Sequence, residues 1–203
     1  MSFSTSPLRV VNDCLDPEQF VFVRAYAHQA EFSDVINPVD GVTYPGICAD
    51  IPVWIQRALM QQIAKSMAVS VRQLKVHTCF FRVTTKNTLP APHGAHNDIS
   101  HADYSMFFYI NEKPANLEGL AGTSLLSHKQ TGLKGQPTRV EEWEVWQRDT
   151  NDHDAWNIDE IVFWEPNRMA IYPADRMHRA EPVGGWGTDQ EDGRLVLIMF
   201  FSC

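Results

Sequence analysis

The feature that most constrains the fold is a series of short segments rich in β-branched and aromatic residues, running from residue 71 to residue 202. This composition predicts β-strands, because such side chains pack well on a pleated surface. Turn signals such as "NEKP", "EPN" and "VGGWG" separate several of the segments. The predicted strands are "VRQLKVHTCFFRVTT" (71–85), "YSMFFYIN" (104–111), "GTSLLSH" (122–128), "EIVFWE" (160–165), "RMAIYP" (168–173) and "GRLVLIMFFS" (193–202). Many short strands after a helical stretch predict a mainly β fold with helices (α+β), a β-sandwich or jelly roll.

Two helices are predicted in the N-terminal third. Asp16 can cap the first helix, with Pro17 at its first position and Gln19 three residues after the cap. The second helix begins after Asp50, with Pro52 in its first turn. Apolar side chains recur at helical spacing in both, which predicts that these faces pack on the sheet. They are Phe20, Val23, Ala27 and Ala30 in the first helix, and Ile55, Leu59, Ile63 and Met67 in the second.

A third helix interrupts the series of strands. Thr138 and Glu141 match a capping box, and Val140, Trp143 and Trp146 lie roughly along one helical face. No internal repeat or linker-like stretch divides the chain, so we predict a single domain over residues 1–203. It consists of a helical support layer over 1–70, with a loop at 37–48, and a jelly-roll core over 71–203.

Composition and charge exclude several classes of function. The formal net charge is −8 over 203 residues, which argues against a general binder of nucleic acid or anionic membranes. The longest apolar run, "LVLIMFF", is too short to cross a bilayer, and the N-terminus does not resemble a secretion signal. Four cysteines are scattered without a CxxC pair, which predicts free thiols and a cytoplasmic location.

The stretch "PHGAHNDIS" (92–100) contains the first candidate metal ligands. On an extended segment, residues two apart project to the same side, so His96 and Asp98 can converge on a cation. His93 cannot pair with Asp98 in the same simple way. An HxD pattern occurs by chance in many sequences, so the pair requires a third ligand.

Two residues far downstream complete a pattern. His178 stands between a predicted strand and a turn, and Arg194 opens the most apolar strand of the chain. An arginine in such a strand is costly unless it meets an anion, although a strand-edge charge can also point to solvent. By strand alternation, Arg194 shares a face with Val196.

The ordered set HxD, distant His and following Arg resembles the Fe(II)- and 2-oxoglutarate-dependent dioxygenases, and most closely their prolyl-hydroxylase-like branch. The resemblance covers roughly residues 71–202 and implies a double-stranded β-helix, the jelly roll that cupins share. It implies that His96, Asp98 and His178 are the metal ligands and form the catalytic centre. It further implies that Arg194 binds the distal carboxylate of 2-oxoglutarate.

The resemblance also places a tyrosine at that carboxylate, with Tyr109 as the first candidate and Tyr104 as the second. The interval between His178 and Arg194 is longer than the family's usual spacing. The excess maps to "GGWGTDQED" (184–192), a polar insertion that can bulge from a turn.

The implied cofactor is Fe(II), with 2-oxoglutarate and O2 as cosubstrates. Two histidines and one carboxylate form a facial triad, which leaves positions open on one side of the metal. Relatives that halogenate typically lack the carboxylate, so Asp98 favours hydroxylation. The implied substrate is an amino acid, a peptidyl residue or another small molecule, and no nucleic acid or membrane partner is expected.

Other residues carry weaker expectations. Trp186, in the insertion, is either part of a lid over the substrate or a surface aromatic residue. Arg82 either binds an acidic group of the substrate or forms a salt bridge, and His128, at the end of a predicted strand, is a candidate to face the substrate cavity. Five further histidines are expected to have ordinary structural or second-sphere roles, namely His28, His77, His93, His101 and His153.

Two other functions fit the same residues less well. A cupin-type metal protein supplies more histidines to its metal and has no need for Arg194. A non-enzymatic β-sandwich used for binding predicts no metal uptake at all.

Overall fold

The computed structural model describes residues 8–36, 41, 43–88 and 94–203. The described part contains ten strands and three α-helices. The helices are α1 (Pro17–Gln29), α2 (Val53–Met67) and α3 (Val140–Asp149). The strands are β1 (Arg9–Val11), β2 (Ser33–Ile36), β3 (Thr43–Cys48), β4 (Lys75–Thr84), β5 (Tyr104–Tyr109), β6 (Gly122–His128), β7 (Trp156–Phe163), β8 (Met169–Pro173), β9 (His178–Glu181) and β10 (Arg194–Ser202).

The strands form two antiparallel sheets. The large sheet has the order β1-β8-β5-β10-β4-β3-β2, and the small sheet has the order β7-β6-β9. Strands that are neighbours in a sheet are often far apart in the sequence. The last strand, β10, lies between β4 and β5, and β9 pairs with β6. This arrangement confirms the predicted α+β fold with a double-stranded β-helix.

Strand alternation gives the large sheet two different faces. On β10, Leu195 and Leu197 belong to the apolar cluster that includes α1 and α2. Val196, between them, belongs to a second cluster that joins the large sheet to Leu125 and Val162 of the small sheet. The space between the sheets, called the inter-sheet space below, is therefore lined by the β10 face that also carries Arg194.

The N-terminal helices follow the prediction. The Asp16 side chain accepts a hydrogen bond from the Gln19 backbone N–H at 2.9 Å and caps α1. Ile55, Leu59 and Ile63 of α2 are fully buried against the large sheet. The helices thus close the outer face of the sheet and leave its inner face for the site.

The structure corrects several boundaries. The predicted loop 37–48 contains β3, whereas positions 37–40 and 42 lie outside the described residues. The layer predicted to be helical also contains β1 and β2, and β9 was not predicted. The predicted strand 71–85 begins only at Lys75, and β7 begins at Trp156 rather than at residue 160.

The capping box of α3 was also assigned to the wrong acid. The Glu142 carboxylate, and not that of Glu141, accepts from the Thr138 and Arg139 backbone N–H groups. Val140 is 70% exposed, so the predicted apolar face of α3 is limited to Trp143 and Trp146.

All four cysteines are free thiols, as predicted. Burial raises the pKa of both Cys14 and Cys79 to about 12, so these thiols are protonated and unreactive at neutral pH. Within the described ranges, every helix is too short or too polar to cross a membrane.

Candidate active site

His96, Asp98 and His178 meet in the structure as predicted. His96 and His178 form an isolated antiparallel bridge through two backbone hydrogen bonds, which brings their ring centroids to 4.3 Å. The His178 Nε2 atom lies 3.4 Å from Asp98 Oδ2, and the His96 Nε2 atom lies 3.9 Å from Asp98 Oδ1. Two residues about 80 positions apart in sequence are thus joined by local β pairing.

Both imidazole rings are oriented to present Nε2. The Nδ1 atom of His96 lies 3.1 Å from the Gly94 carbonyl oxygen, and that of His178 lies 3.0 Å from the Arg176 carbonyl oxygen. A carbonyl can only accept, so each Nδ1 carries the proton and each Nε2 offers a lone pair. Burial, helped by the neighbouring His178, lowers the pKa of His96 to about 4, which keeps this ring neutral at pH 7.

Asp98 is held from two sides. Its backbone N–H donates to the Ala174 carbonyl at 2.7 Å, and the Ser105 hydroxyl donates to Oδ2 at 2.8 Å. The donor atoms of His96, Asp98 and His178 all lie within 4.8 Å of one another. Ligands about 2.1 Å from a metal and at right angles lie about 3 Å apart, so small movements close this set around an ion.

Arg194 lies on the same inner face of the large sheet, in the inter-sheet space. It is only 7% exposed, yet its Nε atom has no hydrogen-bond partner in the described structure. The guanidinium carbon lies 5.4 Å from the ring centroid of Trp164. Burial lowers the pKa of Arg194 to about 10, so the group stays charged at neutral pH. The Glu181 carboxylate opposes this lowering from a distance but forms its ion pair with Arg179.

Near Arg194, two more polar atoms have no hydrogen-bond partner among the described residues. Thr84 pairs directly with Arg194 across β4 and β10, and its Oγ1 is buried and unpartnered. The buried Nε1 of Trp186 also lacks a partner, and its ring meets Trp164 edge-on at 4.7 Å. Buried polar groups are normally hydrogen-bonded, so this cluster fits an anion that accepts from several donors.

Trp186 is therefore not a surface aromatic residue, and its place in a lid over the substrate stays a prediction. It is 3% exposed and belongs to the apolar cluster of the inter-sheet space. A Cβ atom on Gly185 would lie 2.3 Å from the Thr84 carbonyl oxygen, so only glycine allows this close approach. The insertion is also anchored by Asn111, whose Nδ2 donates to the Gln190 and Gly193 carbonyls.

The two tyrosine candidates lie on opposite faces of β5. Tyr109 is fully buried in the inter-sheet space and donates to Thr123 Oγ1 at 3.1 Å and to the Val162 carbonyl at 3.2 Å. Burial raises its pKa, which keeps the hydroxyl protonated. Tyr104 instead stacks on Phe201, on the side of the helices. This placement argues against the predicted role of Tyr104.

Sequence analysis missed Ser105 and Tyr172, which face each other across β5 and β8. Tyr172 packs edge-on against His178 with ring centroids 5.0 Å apart. Burial raises its pKa well above the usual value, the Asp98 charge adds to this rise, and the Arg194 charge opposes it. Tyr172 thus lies within electrostatic reach of both ends of the site.

The remaining candidates are distributed as follows. His128 is buried, and both ring nitrogens have partners: Nε2 lies 3.1 Å from the Asp149 carboxylate and Nδ1 lies 3.1 Å from the Thr131 hydroxyl. A contact between His128 and the substrate stays a prediction. His101 is exposed and stacks on Phe200. His93 lies outside the described residues.

The structural roles expected for two other histidines are confirmed. His77 hydrogen-bonds the Ser202 hydroxyl, and His28 bonds the Asn111 side chain.

A family model covers nearly the whole chain. It matches residues 2–201 and describes a family of unknown function, DUF6445. The chain belongs to DUF6445. No curated protein matches this DUF6445 chain.

Solved structures of similar fold carry informative descriptions. HygX from Streptomyces hygroscopicus, with nickel, 2-oxoglutarate and hygromycin B bound, aligns with a TM-score of 0.58 at 15% identity over 98% of this chain and 84% of that one. EctD from S. alaskensis, with 2-oxoglutarate and 5-hydroxyectoine, aligns with a TM-score of 0.54 at 13% identity, over 100% of this chain and 74% of that one. An oxidoreductase of the 2OG-Fe(II) oxygenase family from Burkholderia pseudomallei aligns with a TM-score of 0.54 at 9% identity, over 96% of this chain and 85% of that one. At these sequence identities the structural similarity shows the jelly-roll fold only, and function has to be inferred from the residues of the site.

Proposed function

We propose that this chain is a non-heme Fe(II)- and 2-oxoglutarate-dependent oxygenase. One observation carries the proposal. The same inter-sheet space holds a two-histidine, one-carboxylate set with free Nε2 lone pairs and a buried, unpartnered arginine. A metal site alone explains His96, Asp98 and His178. The arginine requires an anion as well, which favours this enzyme class over a cupin-type metal protein or a binding module.

The residues fit the two groups that the fold family implies. His96, Asp98 and His178 would hold Fe(II) through two imidazole nitrogens and one carboxylate. When bound, Fe(II) and 2-oxoglutarate activate dioxygen, and the decarboxylation of 2-oxoglutarate to succinate and CO2 supplies the oxidising power. HygX and EctD carry 2-oxoglutarate in their structures, and HygX also binds nickel or iron.

The chain's own residues bind and shield the cosubstrate. Arg194 pairs with the distal carboxylate, and the hydroxyl of Thr84 and the indole N–H of Trp186, which lack other partners among the described residues, donate to the same group. Tyr109 joins them when its hydroxyl turns from Thr123 and the Val162 carbonyl towards that carboxylate. The rings of Trp164 and Trp186 exclude water from this end, which strengthens the ion pair. Ser105 keeps Asp98 oriented as an ionised ligand.

The reaction we propose is hydroxylation of an unactivated C–H bond, in which one oxygen atom of O2 enters the substrate and the other enters succinate. The carboxylate of Asp98 occupies the position that a halide needs, which favours hydroxylation. The substrate class is an amino acid, a peptidyl residue or another small molecule. The neighbour SnoN is described as an epimerase, so the fold itself accommodates more than one outcome.

The experiment is succinate release from Fe(II)-loaded protein in air, screened against free amino acids, short peptides and small hydroxylatable metabolites. We expect at least one compound to raise succinate release above the uncoupled background and to gain a mass of one oxygen atom. The Asp98→Ala variant serves as the inactive control. No stimulation by any compound, together with an equal background in wild type and Asp98→Ala, contradicts the proposal.

A further inference from the structure

Arg82 is a second cation on the inner face of the large sheet. It pairs with Val196 across β4 and β10, and Val196 belongs to the apolar cluster of the inter-sheet space. Thr84, two residues further along β4, pairs with Arg194 in the same way. Because residues two apart on a strand share a face, Arg82 and Thr84 both point towards the inter-sheet space.

Arg82 has no anionic partner among the described residues. Its Nε is buried without a hydrogen bond, and every ion pair found in the described ranges joins other residues. The predicted alternative of a salt bridge thus finds no partner for Arg82 among the described residues. The guanidinium carbon lies 5.7 Å from the ring centroid of Tyr44, which stabilises the cation without neutralising it. Leaving a guanidinium partly buried and unpaired costs free energy that a ligand can recover.

Arg82 shares its face of the large sheet with Tyr109, since both residues pair with Val196 from opposite sides of β10. The charge of Asp98 opposes the lowering of the Arg82 pKa by burial, and the charge of Arg82 lowers the pKa of Arg194. These couplings fall off with distance, so the guanidinium lies within range of both ends of the site. Arg82 is also the more accessible of the two arginines, because Arg194 is buried and Arg82 is half-buried.

Charge balance in the loaded site leaves Arg82 as the uncompensated group. The two positive charges of Fe(II) and the one on Arg194 are matched by Asp98 and the two carboxylates of 2-oxoglutarate. Arg82 then contributes one remaining positive charge in a low-dielectric space. A substrate with a single negative group restores neutrality.

We propose that Arg82 binds an anionic group of the substrate, so that the substrate is a small molecule carrying a carboxylate or phosphate. This inference rests on the proposed function and names the substrate class of the same site. A guanidinium meets either anion through two parallel hydrogen bonds, which also fixes the orientation of the substrate towards the metal. Arg82 is a specificity-determining residue in this account.

The test uses inorganic phosphate as the probe on protein loaded with nickel and 2-oxoglutarate, in which Arg194 is already occupied. Thermal unfolding is followed at constant ionic strength in wild type, Arg82→Gln and Arg57→Gln. Arg57 is an exposed arginine of α2 and serves as the matched control. We expect a saturable rise in Tm of about 3–6 °C at ten times the phosphate Kd for wild type and Arg57→Gln. The rise should disappear in Arg82→Gln, and an equal, saturable rise in that variant overturns the proposal.

Two further measurements separate the alternatives. The Kd for 2-oxoglutarate, measured by calorimetry on the nickel-loaded protein, should change less than about twofold in Arg82→Gln and weaken at least tenfold in Arg194→Gln. An equal loss in both variants assigns Arg82 to the cosubstrate and overturns the inference. Failure of wild type to bind 2-oxoglutarate instead refutes the proposed function, whatever phosphate does at Arg82. Without ligand, Arg82→Gln should unfold at about the same temperature as wild type, because removal of an unpaired, partly buried charge offsets the lost contact with Tyr44.

Discussion

Replacing Ser105 by alanine tests whether the hydrogen bond to Asp98 serves metal binding. The Ser105 hydroxyl is 1% exposed and donates to Asp98 Oδ2 at 2.8 Å. A hydrogen bond to a charged group contributes about 1.5–3 kcal/mol. Loss of a partner that orients a ligand typically weakens metal affinity about 10–100-fold. We therefore expect Ser105→Ala to raise the Kd for Ni(II) by about that factor.

Ser127→Ala is the matched control. Its hydroxyl donates at 2.7 Å to Asp159, a carboxylate that binds Lys134 and Arg176 and is not one of the metal ligands. Both variants lose a buried serine–aspartate bond, so both should unfold a few degrees lower than wild type. Competition with a chromophoric chelator then compares the Ni(II) Kd of the three proteins. Unchanged affinity in Ser105→Ala, or an equal loss in Ser127→Ala, refutes the reasoning.

Three further variants follow from the structure. Tyr109→Phe should weaken 2-oxoglutarate binding about tenfold by calorimetry, whereas Tyr104→Phe, on the other face of β5, should leave it unchanged; equal effects contradict the assignment. Trp186→Phe should weaken 2-oxoglutarate binding about tenfold and reduce the change in tryptophan fluorescence when 2-oxoglutarate is added. A fluorescence titration equal to that of wild type refutes the contact between the indole N–H and 2-oxoglutarate. The hydrogen bond from Arg148 holds the pKa of Asp149 below its usual 3.8, so this carboxylate stabilises the fold above that pH and loses its effect as the pH falls through the folded pKa. Asp149→Asn should therefore lower the free energy of unfolding at pH 7 and approach wild type only as the pH falls below the folded pKa of Asp149, and a pH-independent difference in denaturant titrations contradicts this.

By local spacing, the sequence predicted only part of the fold and the site. The pairing of His96 with Asp98 follows from the i, i+2 geometry of an extended segment, whereas the roles of His178 and Arg194 come from the family resemblance, because an arginine at a strand start can also point to solvent. The stripes of α1 and α2 follow from helical periodicity and N-terminal capping. These signals are short-range, so no knowledge of the strand order is needed.

Other features depend on pairing between distant strands. Ser105 and Tyr172 join the site because β5 lies beside β8 and their inner faces meet Asp98 and His178. Thr84 becomes relevant only because β4 pairs with β10 in a register that places it opposite Arg194. β9 is four residues long and was missed because its pattern is too short to show alternation.

Packing of the large sheet also settled one ambiguity. Alternation places Tyr104 and Tyr109 on opposite faces of β5, and the register against Phe201 and Val196 shows which of the two faces the inter-sheet space. A one-residue shift of β5 would exchange them.

The central claim is that one site binds a metal at one end and 2-oxoglutarate at the other. The most direct test is anaerobic titration of Fe(II)-loaded protein with 2-oxoglutarate, monitored by the weak visible charge-transfer band expected of this class of site. The account predicts a saturable band in wild type, no band in Asp98→Ala or His178→Ala, and a band in Arg194→Gln that requires at least tenfold more 2-oxoglutarate. Absence of the band in wild type, or an unchanged band in Asp98→Ala and His178→Ala, contradicts the claim.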